Sequence, residues 1–118
     1  MDRAEAGRRA EDAAAALLES KGMTVLERNF HARAGEIDLV MKDKDEVVFV
    51  EVRARSTMGW GGAAASVGGK KRRRVVTAAK VWLAARGWEG ACRFDVVASE
   101  GGELEHYPAA FDADGRAP

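Results

Sequence analysis

Two adjacent β-type segments, residues 35–42 and 47–53, constrain the fold of this chain more than any other feature. Both are rich in Val, Ile, Leu and Phe, and the polar turn 43–46 separates them. The pattern therefore predicts an antiparallel hairpin. Pairing residue 42 with residue 47 gives a permitted loop length and places Asp38 opposite Glu51.

Side-chain alternation in this register sorts the hairpin into two faces. The apolar face, which we expect to lie in the core, comprises Ile37, Leu39, Met41, Val48, Val50 and Val52. The other face comprises Glu36, Asp38, Val40, Phe49, Glu51 and Arg53. A slip of one residue would mix the two sets, so the pattern determines the register well.

The opposed carboxylates of Asp38 and Glu51 favour a cation site. Directly opposed side chains have Cβ atoms about 5 Å apart, and two carboxylates there repel by roughly 3 kcal/mol at an effective dielectric constant near 20. Arg53 offsets part of this repulsion, and Mg²⁺ or Mn²⁺ would offset more, because hard divalent cations prefer carboxylate oxygens. A metal held by these two residues would support hydrolysis of a nucleic-acid backbone.

A second interpretation of the same residues stays open. Asp38, Glu51, Arg53 and Arg55 would also form ordinary cross-strand pairs on a solvent-facing side of the sheet, and the spacing matches many unrelated strands.

The first helix offers a further carboxylate. Glu11 lies on the edge of the helix's apolar stripe, one turn after Gly7. We expect the missing side chain at Gly7 to allow a close approach to the helix.

Basic residues concentrate in one part of the chain. Residues 70–93 hold eight Lys or Arg against one acidic residue, a net charge of +7, whereas residues 1–69 carry −2 and residues 94–118 carry −5. This asymmetry indicates a polyanionic partner, although a solvated helix surface is the alternative. Lys70, Lys71 and Arg74 open the predicted second helix, where they would contact phosphates together with the backbone N–H groups.

The whole chain is predicted to be a single α/β domain with a mixed sheet flanked by helices, in the order αβββαββ. Besides the hairpin, the expected elements are a helix at 3–21, a strand at 23–29, a glycine-rich loop at 56–69, a helix at 70–86 and strands at 91–98 and 104–107. We expect the domain to cover residues 1–112 and the tail at 113–118 to fray.

The composition places the protein in a reducing cytosol. There is one cysteine, so no intramolecular disulfide can form, and no apolar run approaches the length of a membrane span. His31 and His106 have no neighbouring ligands at zinc spacing, and Asp95 is expected to play a structural role in its strand.

Several motifs, taken in order, resemble the YraN family of uncharacterised bacterial proteins. They cover residues 5–112 and are Gly7-x3-Glu11, Asn29, Gly35-Glu36-Ile37-Asp38-Leu39, Val48-Phe49-Val50-Glu51-Val52-Arg53-x-Arg55, Gly61 to Val67, Lys71, Ala79, Trp82-Leu83 and Cys92 to Val97. That family is assigned to the restriction-endonuclease-like PD-(D/E)xK superfamily and is similar to archaeal Holliday junction resolvases.

The resemblance implies roles for individual residues. Glu11 would be the helix-borne carboxylate, Asp38 and Glu51 the metal ligands, and Arg53 would stand at the position of the superfamily's lysine. Arginine is always charged and cannot act as a base, so this position departs from the motif.

Three functions stay open at this stage. The leading hypothesis is a Mg²⁺- or Mn²⁺-dependent endonuclease acting on nucleic acid, with DNA favoured, branched or flapped DNA as one form of substrate, and a homodimer as one arrangement. The second is a nucleic-acid-binding module on the same fold without turnover, and the third is a protein-interaction adaptor.

Overall fold

The computed structural model describes residues 3–54 and 68–117, which form two helices and a five-stranded sheet. In chain order these are α1 (Arg3–Ser20), β1 (Thr24–Ala32), β2 (Gly35–Asp43), β3 (Glu46–Ala54), α2 (Gly69–Arg86), β4 (Cys92–Glu100) and β5 (Glu103–Phe111). The predicted α/β class and the order αβββαββ are confirmed. Neither of the described helices is long and apolar enough to cross a bilayer.

The sheet has the strand order β1-β2-β3-β4-β5 and is mixed, as predicted. Strands β3 and β4 are parallel, and the other neighbours are antiparallel. A parallel pair needs a long crossover, and α2 lies between β3 and β4 in the chain. Of the predicted glycine-rich loop, all but Gly68 and Gly69 lie outside the described residues.

Both faces of the sheet are covered. On one face α2 packs on a row of aromatic rings, in which Phe49 stacks on Phe94 at 5.5 Å and meets the edge of Trp82 at 5.7 Å between ring centroids. On the other face α1 packs Ala14 and Leu18, one turn apart, against the sheet. The charged hairpin face is therefore only partly solvent-facing, since Glu51 is buried whereas Glu36 and Arg53 are exposed.

The hairpin between β2 and β3 keeps the predicted pairing of Lys42 with Val47. The ladder continues by one further pair, Asp43 with Glu46, so the turn has two residues and is shorter than predicted. The guanidinium of Arg93 donates to both of these carboxylates at 3.0 Å, which ties the turn to β4.

Side-chain alternation breaks next to Asp38. Asn29 lies opposite Asp38 in the register of β1 with β2, and its φ of 51° is left-handed, which interrupts the regular pleat. Ile37 packs on the α2 side of the sheet, whereas Leu39, two positions later, packs on the α1 side. The prediction that these two side chains share a face is wrong.

Helix α2 approaches the β1–β2 turn closely at Gly35. A Cβ atom at this position would lie 2.8 Å from the carbonyl oxygen of Arg74, so only glycine fits without a shift of backbone. At Gly7, by contrast, a Cβ atom would meet none of the described residues within 4 Å. No described residue therefore makes the close approach predicted at Gly7.

The segment after β5 forms a hydrogen-bonded turn on the start of α2. The Oδ1 atom of Asp112 accepts from the backbone N–H groups of Asp114 and Arg116, both at 2.9 Å. The Nε atom of Arg72 donates to the carbonyl of the buried Gly115 at 2.6 Å. These hydrogen bonds were not expected from the sequence, which predicts a frayed tail at 113–118.

Replacing Gly35 with alanine should destabilise the fold, because the added methyl group meets a backbone oxygen. We expect Gly35→Ala to lower the free energy of unfolding by about 1–3 kcal/mol in urea titrations. Gly7→Ala is the matched control and should raise it by about 0.8–1 kcal/mol, since alanine is the better helix former. Equal effects of the two substitutions would contradict the close approach of α2 to Gly35.

Candidate active site

The structure brings the carboxyl groups of Asp38 and Glu51 close enough together for each to influence the pKa of the other. Asp38 is half-buried on β2, and Glu51 is only 4% exposed on β3. The backbone N–H of Val52 donates to Oδ2 of Asp38 at 2.8 Å. This hydrogen bond fixes the Asp38 carboxylate beside Glu51, close to where the hairpin register predicts it.

The surroundings of this carboxylate pair disfavour two full negative charges. Burial, and then the neighbouring Asp38 charge, raise the pKa of Glu51 to about 8. Burial also raises the pKa of Asp38, against the opposing hydrogen bond from Val52. The Oε1 atom of Glu51 is buried and finds no hydrogen-bond partner among residues 3–54 and 68–117. A proton or a metal cation would complete such a site.

Lys71 of α2 is the basic residue that the structure places at the pair. Its Nζ atom lies 3.5 Å from Oε2 of Glu51, and its charge lowers the pKa of both carboxyl groups. The side chain is 38% exposed, so it faces both the pair and solvent. The sequence predicts Lys71 as a phosphate contact and gives no sign of its contact with Glu51, which depends on how α2 packs on the hairpin.

Glu11 of α1 stands at the edge of the pair. It is half-buried and hydrogen-bonds the side chain of Asn29. Burial, followed by the charge of Asp38, raises the pKa of Glu11. Within the described part of the chain, however, no three His, Cys, Asp or Glu side chains come close enough together to hold a metal ion. The described residues therefore offer a metal ion two protein ligands, the carboxylates of Asp38 and Glu51.

The remaining predicted site residues lie further out. Arg53 follows Glu51 by two positions on β3 and is exposed, as are Lys70 and Arg74 on α2. Arg55 lies outside the described residues.

An open cleft of about 410 Å³ adjoins the carboxylate pair. The β1–β2 turn contributes His31, Arg33 and Glu36 to its walls, and α2 contributes Lys71 and Arg74. Because Lys71 also pairs with Glu51, the cleft and the carboxylates share one basic side chain. His31 and Arg33 are not predicted as site residues, since a turn before the hairpin carries no motif.

Asp95 belongs to a separate network on the other face of the sheet. It is fully buried and pairs with Val50, whose side chain packs on the α1 side. Although burial opposes it, hydrogen bonds from His106 at 2.7 Å and from Arg93 hold the pKa of Asp95 below its usual range. This network fastens β4 to β5 and to the hairpin turn, which agrees with the structural role predicted for Asp95.

Comparison with known proteins finds one family. The model of "Uncharacterised protein family UPF0102" matches residues 10–98, a span that contains the carboxylate pair and the start of α2. A UPF0102 protein of Anaeromyxobacter dehalogenans is 50% identical over 115 residues, or 93% of this chain and 86% of the relative.

Two further relatives show the same level of similarity. A UPF0102 protein of Halorhodospira halophila is 50% identical over 111 residues, covering 93% of this chain and 89% of the relative. One of Burkholderia mallei is 51% identical over 98 residues, covering 82% of this chain and 68% of the relative.

The raised pKa of Glu51 predicts a specific pH dependence of stability. Between the ordinary value of 4.5 and about 8 the folded state holds a proton that the unfolded state has released. The stabilisation is fully present below this window and is lost as pH rises through it, with a slope of up to about 1.4 kcal/mol per pH unit. Glu51→Gln should remove this contribution from metal-free unfolding profiles.

The control for this experiment is Glu103→Gln, which removes one charge from an exposed position at the start of β5. The difference in free energy of unfolding between Glu51→Gln and wild type should grow as pH rises, whereas the difference for the control should stay flat. Parallel profiles for all three proteins would show that Glu51 ionises normally in the folded state.

Proposed function

The chain belongs to the UPF0102 (YraN) family, and from this premise we propose that it is a divalent-cation-dependent endonuclease that hydrolyses a phosphodiester in nucleic acid. One observation carries the proposal: Glu51 is buried against Asp38 with an oxygen that no described residue satisfies. Such an arrangement is costly for a protein unless a cation or a proton completes it.

The donor set fits Mg²⁺ or Mn²⁺. Both carboxylates supply hard oxygen ligands, and Mg²⁺ is commonly held by one or two carboxylates while water and substrate phosphate complete its shell. Asp38 and Glu51 would hold the ion. When bound, it would supply charge neutralisation for the phosphoryl transition state and a nucleophile at neutral pH.

The start of α2 supplies the phosphate-binding groups. Lys70, Lys71 and Arg74 carry positive charge there, and Gly68 caps the helix without a side-chain hydrogen bond. Among residues 3–54 and 68–117 no side-chain cap is therefore seen at this helix start, and its first-turn N–H groups would bind an anion, which the helix dipole also favours. These groups would hold the substrate backbone beside the carboxylate pair.

Glu11 and Arg53 would complete the site from its edges. Glu11 lies close enough to Asp38 for the two charges to interact, so it would orient a water molecule near the pair. Arg53 would stabilise a phosphate, since an arginine side chain does not act as a base.

The substrate class follows from the kind of contacts available. Cationic side chains and helix N–H groups bind phosphates, and such contacts do not distinguish one base sequence from another. We therefore propose a substrate chosen by its structure, with DNA preferred over RNA and branched DNA as the form to test first. A homodimer, which would present two sites to a branch, is part of this proposal.

A nucleic-acid-binding module without turnover is the second candidate. One argument for it is the arginine at position 53, which cannot take a proton from water. The other is that the described residues offer a metal two carboxylates and no third ligand, which would bind it more tightly. The same basic helix serves both candidates, so cleavage is what separates them.

Removing either carboxylate of the pair should abolish cleavage. With branched, duplex and single-stranded DNA and either Mg²⁺ or Mn²⁺, we expect Asp38→Asn and Glu51→Gln each to lower the cleavage rate at least about 100-fold, since each removes a ligand of the cation that would neutralise charge on the reacting phosphate. Glu11→Gln should have a smaller effect. Asp12→Asn, its exposed neighbour on α1, is the control and should cleave at the wild-type rate.

Three results would overturn parts of this proposal. If wild type cuts none of the substrates, and both pair variants bind Mn²⁺ as it does, catalysis is excluded. If wild type binds DNA but leaves it intact, the binding module is the better account. If it has no affinity for nucleic acid, a protein-interaction adaptor replaces both.

The basic start of α2 predicts a salt dependence of DNA binding. Each phosphate contact contributes about 0.9 to the slope of log K against log salt concentration. Lys70→Ala and Arg74→Ala should each reduce the slope by roughly this amount in fluorescence-anisotropy titrations. Lys80→Ala, in the same helix but two to three turns further on, should leave the slope unchanged, and equal losses for all three would argue against a defined contact surface.

A further inference from the structure

Lys71 lies next to Glu51 and also lines the cleft. Its ammonium lies 3.5 Å from Oε2 of Glu51, a distance typical of a loose ion pair, and the same side chain forms part of the cleft wall beside Arg33 and Arg74. At 38% exposure it is open to an incoming anion. Lysine also has a flexible stem that lets one compact charge serve two positions.

The charges at the pair no longer balance with Lys71 alone once metal binding removes the proton that Glu51 holds at neutral pH. Two carboxylates carry two negative charges when both are ionised, and Lys71 supplies one positive charge. A divalent cation at the pair would neutralise both carboxylates and leave the lysine charge without an anion. One phosphodiester, which carries a single negative charge, would then restore neutrality.

We propose that Lys71, rather than Arg53, is the basic residue that binds the attacked phosphate, and that a divalent cation at Asp38 and Glu51 releases it from Glu51 for this task. The inference rests on the proposed function, since it requires a cation site at the pair. It assigns to Lys71 a contact that depends on the metal, whereas the contacts of Lys70 and Arg74 with phosphate do not.

The position of Arg53 supports this assignment. Arg53 is exposed on β3, and among the described residues the cation that pairs with Glu51 is Lys71. The guanidinium of arginine is a rigid fork, which suits a fixed contact at the rim better than an exchange between two anions. Lys71 therefore supplies from a helix the charge that the superfamily's motif supplies from the strand.

The cleft explains how the phosphate reaches Lys71. Arg74 lies three positions after Lys71 on α2 and contributes to the same wall, so the two side chains face the cleft together. Gly35 lies against the carbonyl of Arg74 and is itself part of the cleft wall, so the β1–β2 turn and α2 are close together there. A nucleic-acid strand in the cleft would meet Arg74 first and Lys71 next to the carboxylates.

The test compares Lys71→Met with two control variants in two binding experiments. The first measures Mn²⁺ affinity without nucleic acid. The second measures the affinity for a phosphorothioate oligonucleotide, which keeps one charge per linkage and resists hydrolysis, with and without Mn²⁺. Lys80→Met controls for the loss of one charge from α2, and Arg74→Met removes a charge from the cleft without touching the carboxylates.

Lys71→Met should change the two readouts in opposite directions. Without nucleic acid it should bind Mn²⁺ at least about fivefold more tightly than wild type, because the competing charge is gone. In wild type Mn²⁺ should strengthen oligonucleotide binding by about five- to tenfold, and Lys71→Met should lose most of this coupling. Arg74→Met should weaken oligonucleotide binding but keep the coupling, and Lys80→Met should match wild type in both experiments.

The outcomes separate this inference from the function on which it rests. If every variant binds Mn²⁺ and Lys71→Met equals wild type in affinity or in coupling, the role of Lys71 is overturned and the metal site stands. If neither wild type nor any variant binds Mn²⁺, the proposed function fails and the inference fails with it. Should Lys71→Met fail to fold, Lys71→Arg decides: the rigid guanidinium should keep oligonucleotide binding and lose at least half of the coupling, and full coupling would overturn the inference.

Discussion

A carboxylate pair buried in a β-sheet is the constraint on which the rest of this structure depends. Asp38 and Glu51 contact each other where water is largely excluded, and two charges in such a place cost several kcal/mol unless something positive compensates them. Packing does not require them, because apolar side chains fill both faces of the sheet around them. The fold thus maintains an acidic pair whose burial is unfavourable unless a proton or a cation accompanies it.

Three local features build this site. The Asp38 carboxylate accepts the N–H of Val52, the residue after Glu51, and lies across from the left-handed residue Asn29 on β1. The sheet then carries Glu51 beneath α2, which buries it. Finally, the close contact of α2 with the hairpin brings Lys71 over the pair. Each feature is a departure from, or an addition to, a regular hairpin.

The sequence predicted the features that depend on local periodicity. Apolar alternation and one polar turn were enough to predict the hairpin register and the approach of Asp38 to Glu51. The periodicity of the other segments predicted the order of the elements. Two features were beyond such a pattern. The left-handed conformation of Asn29 leaves no mark on hydrophobic periodicity, so the face of Ile37 was mispredicted. The ion pair of Lys71 with Glu51 joins residues twenty positions apart, and it depends on helix packing that no motif encodes.

The central claim is that this pair exists to hold a divalent cation, and the most direct measurement is an anomalous difference map from a crystal soaked in Mn²⁺. The account predicts one peak at about 2.0–2.2 Å from a carboxylate oxygen of both Asp38 and Glu51, with Nζ of Lys71 displaced from Glu51 toward the cleft. A map without a peak at the pair, with Lys71 still against Glu51, would contradict it.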